Sequence, residues 1–346
     1  MEITNNDVNS FFLDDKNVLF FNIFIKNNKL YIITPLNKDY NTKNSTIKIS
    51  YNSTELIRLE QITKAEYEAT QILIYDFNFN SNPEDIYEIK VSFNEKMKVF
   101  MLKHEKTNKN KKLALTTLFK TDYKLNAIFY DYYKKQGVEH FYMYYNGKIT
   151  DEIKRYYDKE DITLIEWDYV YWNPNAAAYS RHYAQLGQMH DAMYRFGKDK
   201  YEYMLFCDLD EYLYITNQKL IDLVSDTSVD TFGFRNLWAN TKDNNVPESF
   251  PNEFYVAGKL QRYEHRSKCI HKMDTVVHIG IHFGTKFKSN PISLKDNYVM
   301  FHFHSWGGAN INRADTPELI NLDTFESNKC LFGRINKHPR RRVISK

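Results

Sequence analysis

Leu205-Phe206-Cys207-Asp208-Leu209-Asp210-Glu211-Tyr212 is the stretch on which the reading of this chain turns. An apolar run from Tyr201 to Cys207 ends abruptly in three carboxylates within four residues. A short β-prone run closed by a polar cluster predicts a buried strand. The residues before it repeat that pattern. Leu113 to Phe119 predicts a buried strand. Tyr123 to Gln136 carries apolar residues at helical spacing and stops at Gly137, a good C-terminal cap. His140 to Tyr145 predicts a second strand, ended by Asn146-Gly147, then Asp151 to Tyr157 a short helix and Thr163 to Trp167 a third strand. A longer helix is expected over Ser180 to Phe196, with Tyr183, Leu186, Met193 and Phe196 on its core face and Gly197 as its cap. Strand and helix alternate four times, which predicts an α/β domain on a parallel sheet with helices on both faces. Ligands collect at the carboxyl ends of such strands, so the carboxylates fall where a ligand would bind.

The first hundred residues differ. Short apolar runs (Val18 to Phe24, Leu30 to Thr34, Thr46 to Tyr51, Ile72 to Phe77, Val99 to Leu102) alternate with Asn/Asp/Lys turns, which predicts a small β-sandwich or β-rich lobe. The polar segment Lys106 to Lys112 has the composition of a linker. The expected organisation is a β-rich N-terminal domain over 1–106, a linker over 107–112, the α/β domain over 113–310 and a C-terminal extension over 311–346.

Composition bounds the function classes. The chain has 346 residues, room for two cored domains. Its 27 Tyr and 24 Phe invite thoughts of sugar stacking, but the Asn-, Lys- and Ile-rich background of an AT-biased coding sequence accounts for them equally well. A net charge of +3 argues against a dedicated nucleic-acid surface. The one dense basic run, Lys337, His338 and Arg340 to Arg342, is terminal and reads as a solvated tail. Cys207, Cys269 and Cys330 lack metal-type spacing and fit free thiols. The N-terminus carries neither the basic nor the apolar region of a secretory signal, and no stretch is long enough to span a bilayer. The expected setting is cytoplasmic.

Asp208 and Asp210, at the end of a strand, suit a hard divalent cation, because Mg²⁺ and Mn²⁺ take oxygen ligands and keep positions open for phosphate and water. Such an ion neutralises charge on a departing nucleoside diphosphate. A solvated acidic turn would look the same in isolation; the buried strand in front of it favours the metal. A second cluster holds five of the eleven histidines: His271, His278, His282, His302 and His304. His278 to His282 and Phe301 to His304 alternate like strands, and a histidine there would supply a nitrogen to the metal or touch the leaving phosphate. Each alone is as easily structural. Arg262, Lys268 and Lys272 are cations able to meet a phosphate, and Trp238 is able to stack on a sugar.

Two blocks carry a family resemblance: Gln185-Leu-Gly-Gln-Met-His-Asp191-Ala-Met-Tyr-Arg195 and Tyr203-Met-Leu-Phe-Cys-Asp208-Leu-Asp210-Glu211-Tyr-Leu213 resemble glycosyltransferase family 92, once called domain of unknown function 23. Leu115 to Lys120 and Gly137 to Asn146 look like its first two strands, and Lys268-Cys-Ile and His282 are similar to its later lysine and histidine blocks. The likeness covers roughly 113 to 305. It implies a GT-A (Rossmann-like) mixed sheet flanked by helices, a nucleotide-sugar donor (UDP-linked in the first instance), a glycan or glycoprotein acceptor, and Mn²⁺ or Mg²⁺. Carried over, Asp208 contacts the donor ribose or the metal and Asp210 the metal; from the histidine pattern itself, His282 and His304 are the further candidate metal ligands. Phe119, Lys120, Asp122 and Asn146 line the nucleotide pocket and Asp191 positions the donor; Trp238 and Lys268, read from the residues themselves, are the further donor-site candidates. The family's acidic residue near the end of the first strand has only Asp122 as its counterpart. The resemblance also implies inversion, which needs a base; Asp243 and Glu248, after the Thr231 to Trp238 strand, are the candidates. Two other readings stay open: a metal-dependent hydrolase of glycosides or phosphoesters, and a non-catalytic carbohydrate-binding protein on the same fold.

Overall fold

The structure, a computed structural model, describes residues 8–35, 47–63, 70–79, 85–105, 111–173, 183–242, 245–257, 260, 266–288, 292–295, 297–306 and 318–325. At its centre lies a large mixed sheet. Four strands run parallel in the order Ile162–Glu166, His140–Tyr145, Lys111–Phe119, Tyr201–Phe206. From there the sheet turns antiparallel through Lys268–Lys272, Thr231–Asn240, Glu253–Ala257 and Glu318–Asn321. The all-parallel sheet expected from the alternation of elements holds for the first four strands; beyond Phe206 the sheet is mixed, with antiparallel pairs and, against Thr231–Asn240, the parallel neighbours Ile292–Ser293 and Tyr298–His302.

The four parallel strands are apolar because both their faces are covered. Leu113, Leu115, Phe141 and Met143 point into a core shared with the helices Asn126–Lys135 and Asp151–Tyr157. Ala114, Leu118, Tyr142 and Tyr144 point the other way, onto the helix Tyr183–Asp191. A 3₁₀ turn, Tyr123–Leu125, opens the first helix, and Gly137 follows it at φ 91, a conformation that favours glycine. The long helix, expected over Ser180 to Phe196, is described from Tyr183 and widens into a π turn over Ala192–Gly197.

The N-terminal region is β-rich. An antiparallel sheet of Asn22–Lys26, Lys29–Pro35, Thr70–Asp76 and Arg58–Ile62 packs on a second one of Lys96–Leu102, Tyr87–Phe93, Lys48–Tyr51 and Thr54–Glu55. Asn27 and Asn28, at φ 50 and 56, make the two-residue hairpin turn that right-twisted strands favour. Apart from its exposed edge strand Arg58–Ile62, the first sheet is buried on both sides. Ile23, Ile25, Leu30 and Ile32 face the second sheet, and Phe24, Ile33, Ile72 and Ile74 face the long helix. Gly187 makes that approach possible, since a Cβ there would lie 2.6 Å from the Phe21 ring. Polar contacts pin the seam: Asn22 Nδ2 donates to Asp191, Arg195 pairs with Glu105, and the Lys26 ammonium caps the carbonyls of Tyr194 and Arg195. Lys111 and Lys112, placed at the end of a linker by the sequence, already belong to the first strand of the large sheet; Lys106 to Asn110 lie outside the described residues.

Candidate functional site

Sheet order reverses between Lys111–Phe119 and Tyr201–Phe206, since the chain's next parallel strands lie on opposite sides of the first. Loops leaving the carboxyl ends of those two strands diverge and open a crevice. A pocket of about 660 Å³ lies there. Phe119, Lys120, Asp122, Asn146, Asp208 and Asp210 all line it.

The carboxylates are held in different ways. Gln185 Nε2 donates to Asp208 Oδ1 at 2.8 Å, and the Lys268 ammonium reaches Asp208 Oδ2 at 2.9 Å and Glu211 Oε2 at 3.2 Å. Glu211 also accepts the Asp208 backbone N–H at 2.8 Å, which closes the turn between the two strands. Lys268 and Glu211 are buried, whereas the Asp208 side chain keeps 35% of its surface exposed. Burial works against the charged form of Asp208, but Lys268 outweighs it and holds this carboxyl below its ordinary value. Burial pushes Glu211 up to about 7, with Lys268 opposing and Asp208 reinforcing the rise. One ammonium serves two carboxylates, and the better-solvated one keeps the charge. Asp122 is pushed up to about 6, chiefly by burial and then by Asp210 and Asp208.

Asp210 takes its partner from across the sheet. Strand Glu211–Ile215 pairs antiparallel with Tyr298–His302, placing Glu211 opposite His302. His302 Nε2 lies 3.2 Å from Asp210 Oδ2, and its Nδ1 is 3.6 Å from Glu211 Oε1, too long for a hydrogen bond. Burial disfavours the imidazolium, yet Asp210 and then Glu211 hold the His302 pKa above its ordinary value. Among the described residues, no three His, Cys, Asp or Glu side chains form a closed metal cage.

Other expected residues lie elsewhere. Asp191 is fully buried at the seam, accepting from Asn22 Nδ2 and Tyr144 OH at 2.7 Å each, and does not line the pocket. Its helix faces the N-terminal sheet at that turn, which periodicity alone does not reveal. Trp238 is buried with its ring 4.6 Å from that of His302 and Arg266 over it at 5.3 Å, so it supports His302 from behind. His304 meets the edge of the same indole. The strands expected to carry His282 and His304 stop at Ile279 and His302. His282 stays close enough to Asp208 to help hold down its pKa, while its carbonyl accepts from Ser267 and Cys269. Glu248 is exposed and outside the lining; Asp243 and Arg262 lie outside the described residues. Lys272 donates to the Thr227 carbonyl. Cys207 and Cys269 are buried free thiols, and Cys330 and the basic run from Lys337 lie outside the described residues.

Several lining residues have no signal in the sequence. Asn146 Nδ2 donates to the carbonyls of Trp167 and Tyr169, 2.8 Å each, and so shapes the loop carrying Asp168, Tyr169 and Tyr171 along one wall. Phe12, Asp15 and Lys16 come from the N-terminal region. Only the alternation around His302 pointed to that histidine.

The sequence profile described as glycosyltransferase family 92 matches residues 127–313, more than half of the chain. No curated protein matches it. Among solved structures the chain is similar to an amylomaltase from Corynebacterium glutamicum, with 9% identity over 36% of this chain and 20% of that one and a TM-score of 0.17. So short and loose a match carries no argument about fold or activity.

Proposed function

This chain belongs to glycosyltransferase family 92, and from that premise we propose that it transfers a sugar from a nucleotide-linked donor to a hydroxyl of a glycan or glycoprotein, with Mn²⁺ or Mg²⁺ as cofactor. The observation that carries the reading is Asp208 and Asp210 lining one pocket at the crevice where sheet order reverses. The 3-2-1-4 order of the parallel strands is that of a nucleotide-binding half-sheet, and it supports a GT-A, Rossmann-like assignment.

The residues present fit a cation that arrives with phosphates. Mg²⁺-type ions are commonly held by one or two carboxylates plus substrate oxygens rather than by a closed cage. Asp210 and Asp208 would hold it, with His302 beside them, while Gln185 and Lys268 fix the orientation of Asp208. Such an ion, when bound, neutralises the departing diphosphate. Lys268 keeps Asp208 ionised whether or not a cation is present. Phe119, Lys120, Asp122 and Asn146 form the nucleotide end of the pocket. In this reading inversion proceeds by one displacement, and the acceptor's proton goes to Asp243, three residues beyond the strand whose Trp238 backs His302.

One experiment tests all of this. The full chain is incubated with UDP-, GDP- and CMP-linked sugars and hydroxyl acceptors, with Mn²⁺ or with excess chelator, and product is followed by anomeric proton NMR. Transfer that needs Mn²⁺ and gives the inverted anomer is expected. Undiminished transfer in chelator overturns the metal, a retained anomer overturns inversion, and release of free sugar alone favours the hydrolase.

A further inference from the structure

The family profile starts at residue 127, yet the pocket it implies is not closed by those residues alone. Phe12, Asp15 and Lys16, more than a hundred residues upstream, form part of its wall.

That wall is fixed in place. Asp14 Oδ1 accepts the backbone N–H groups of Lys16 and Asn17 at 2.9 Å each, folding the loop back on itself. Asn17 Oδ1 accepts from Asn173 Nδ2 at 3.1 Å, and Tyr169 OH donates to the Phe21 carbonyl at 2.7 Å, so both sides of the join are tied. The Phe12 ring stacks on Tyr169 at 5.8 Å and 23°, with 43% of the residue still exposed.

The charges of the pocket call for a cation here. Asp15, Asp122, Asp168, Asp208 and Asp210 all line it, and a diphosphate would be repelled by them. Lys268 is spent on Asp208 and Glu211. Lys16 and Lys120 are the lining lysines, and among the described residues the Lys16 ammonium makes no ion pair. Position matters as well. Tyr169 is held by Asn146, at the end of His140–Tyr145, and one strand separates that strand from Tyr201–Phe206. Two strand spacings put the aromatic wall about 10 Å from the carboxylates, comparable with the span from a nucleotide's diphosphate to its base.

We propose that the N-terminal region is part of the donor site: Lys16 supplies counter-charge to the donor's diphosphate, and Phe12, backed by Tyr169, is the flat face on which its base packs. The inference rests on the transferase reading of the pocket and deepens it. A lysine contributes to phosphate binding as a point charge, and an aromatic face contributes by stacking.

Calorimetry on the full chain with Mn²⁺ tests it, using UDP and GDP and the matching monophosphates as probes. Lys16→Ala should weaken the preferred diphosphate about tenfold and its monophosphate far less, and Lys16→Arg should restore most of the loss. Phe12→Ala should weaken both about fivefold. In turnover each change should raise KM for the donor and leave kcat near wild type. Both side chains are exposed, so the unliganded melting temperature should stay put. Wild-type affinity in both variants overturns the inference while leaving the transferase reading intact if Asp210→Ala still loses transfer. Failure of the unaltered chain to bind any of the four nucleotides overturns both.

Discussion

Asp191 and Asp208 are both carboxylates that the family resemblance assigns to the donor, and the fold treats them in opposite ways. Asp191 sits on the helix Tyr183–Asp191 with no exposed surface, between Asn22 of the N-terminal sheet and Tyr144 of the large one. Burial pushes its carboxyl up, against the pull of Arg195 and its two hydrogen bonds. Asp208 sits at the end of the following strand, partly exposed, with Lys268 pulling it down. One carboxylate holds two layers together and the other is kept charged facing a pocket. A charged group next to solvent remains available to a ligand; one buried among donors is already committed.

The comparison breaks first at Asp210. Asp210→Ala should lower transfer about a thousandfold, the scale of removing a principal electrostatic contact to the reacting group. Stability should change little, because the loss of the largely buried pair with His302 is offset by relief of the repulsion that Asp210 exerts on Asp122 and Glu211. An inactive but equally stable variant is the expected outcome; activity near wild type would remove Asp210 from the site. Asp191→Ala should do the reverse. It strands Asn22 Nδ2 and Tyr144 OH in an apolar seam, at a cost of about 2–4 kcal/mol in denaturant unfolding, while the folded fraction keeps kcat within about threefold. A selective loss of kcat without loss of stability would return Asp191 to the donor site.

Much of the large sheet was legible because its strands report locally. Leu113 to Phe119, His140 to Tyr145 and Tyr201 to Cys207 are buried on both faces and closed by turns, so each announces itself without its neighbours. The carboxylates followed, since a polar cluster behind such a strand has few places to go. What failed to show in the sequence depends on long-range pairing. His302 meets Asp210 because Glu211–Ile215 pairs with Tyr298–His302, a register set some ninety residues away. His282 and His304 looked like its equals because alternation was extended past the points where their strands end. The family resemblance assigns Asp191 to the donor, and a helix surface does not state which sheet it will meet. Phe12 and Lys16 reach the pocket only through the docking of one region on another, which Gly187 permits by leaving room for Phe21. The Gln185 block therefore holds two kinds of residue: Gln185 orients Asp208, and Gly187 and Asp191 receive the N-terminal sheet.

The same contrast recurs, with smaller effect, between two histidines. His302 stands beside Asp210, which holds its pKa up despite burial. His271 is buried on Lys268–Lys272, bonded to Thr231 Oγ1 at 3.0 Å, and burial alone pushes its pKa down to about 3. In the unfolded chain a histidine titrates near 6.5. As pH falls below about 6.5, the unfolded state takes up a proton that native His271 refuses, so this residue subtracts up to about 1.4 kcal/mol of stability per pH unit until pH approaches 3. His302 has the opposite sign: its stabilising contribution is present at low pH and fades as pH rises through its raised native value. Urea unfolding at intervals between pH 4 and 8 separates the two. His271→Gln should flatten the acid limb, since an amide preserves a hydrogen bond to Thr231 and does not titrate. An acid limb unchanged in that variant would mean that His271 is protonated in the native state, and that the sheet behind the pocket is wetter than its packing indicates.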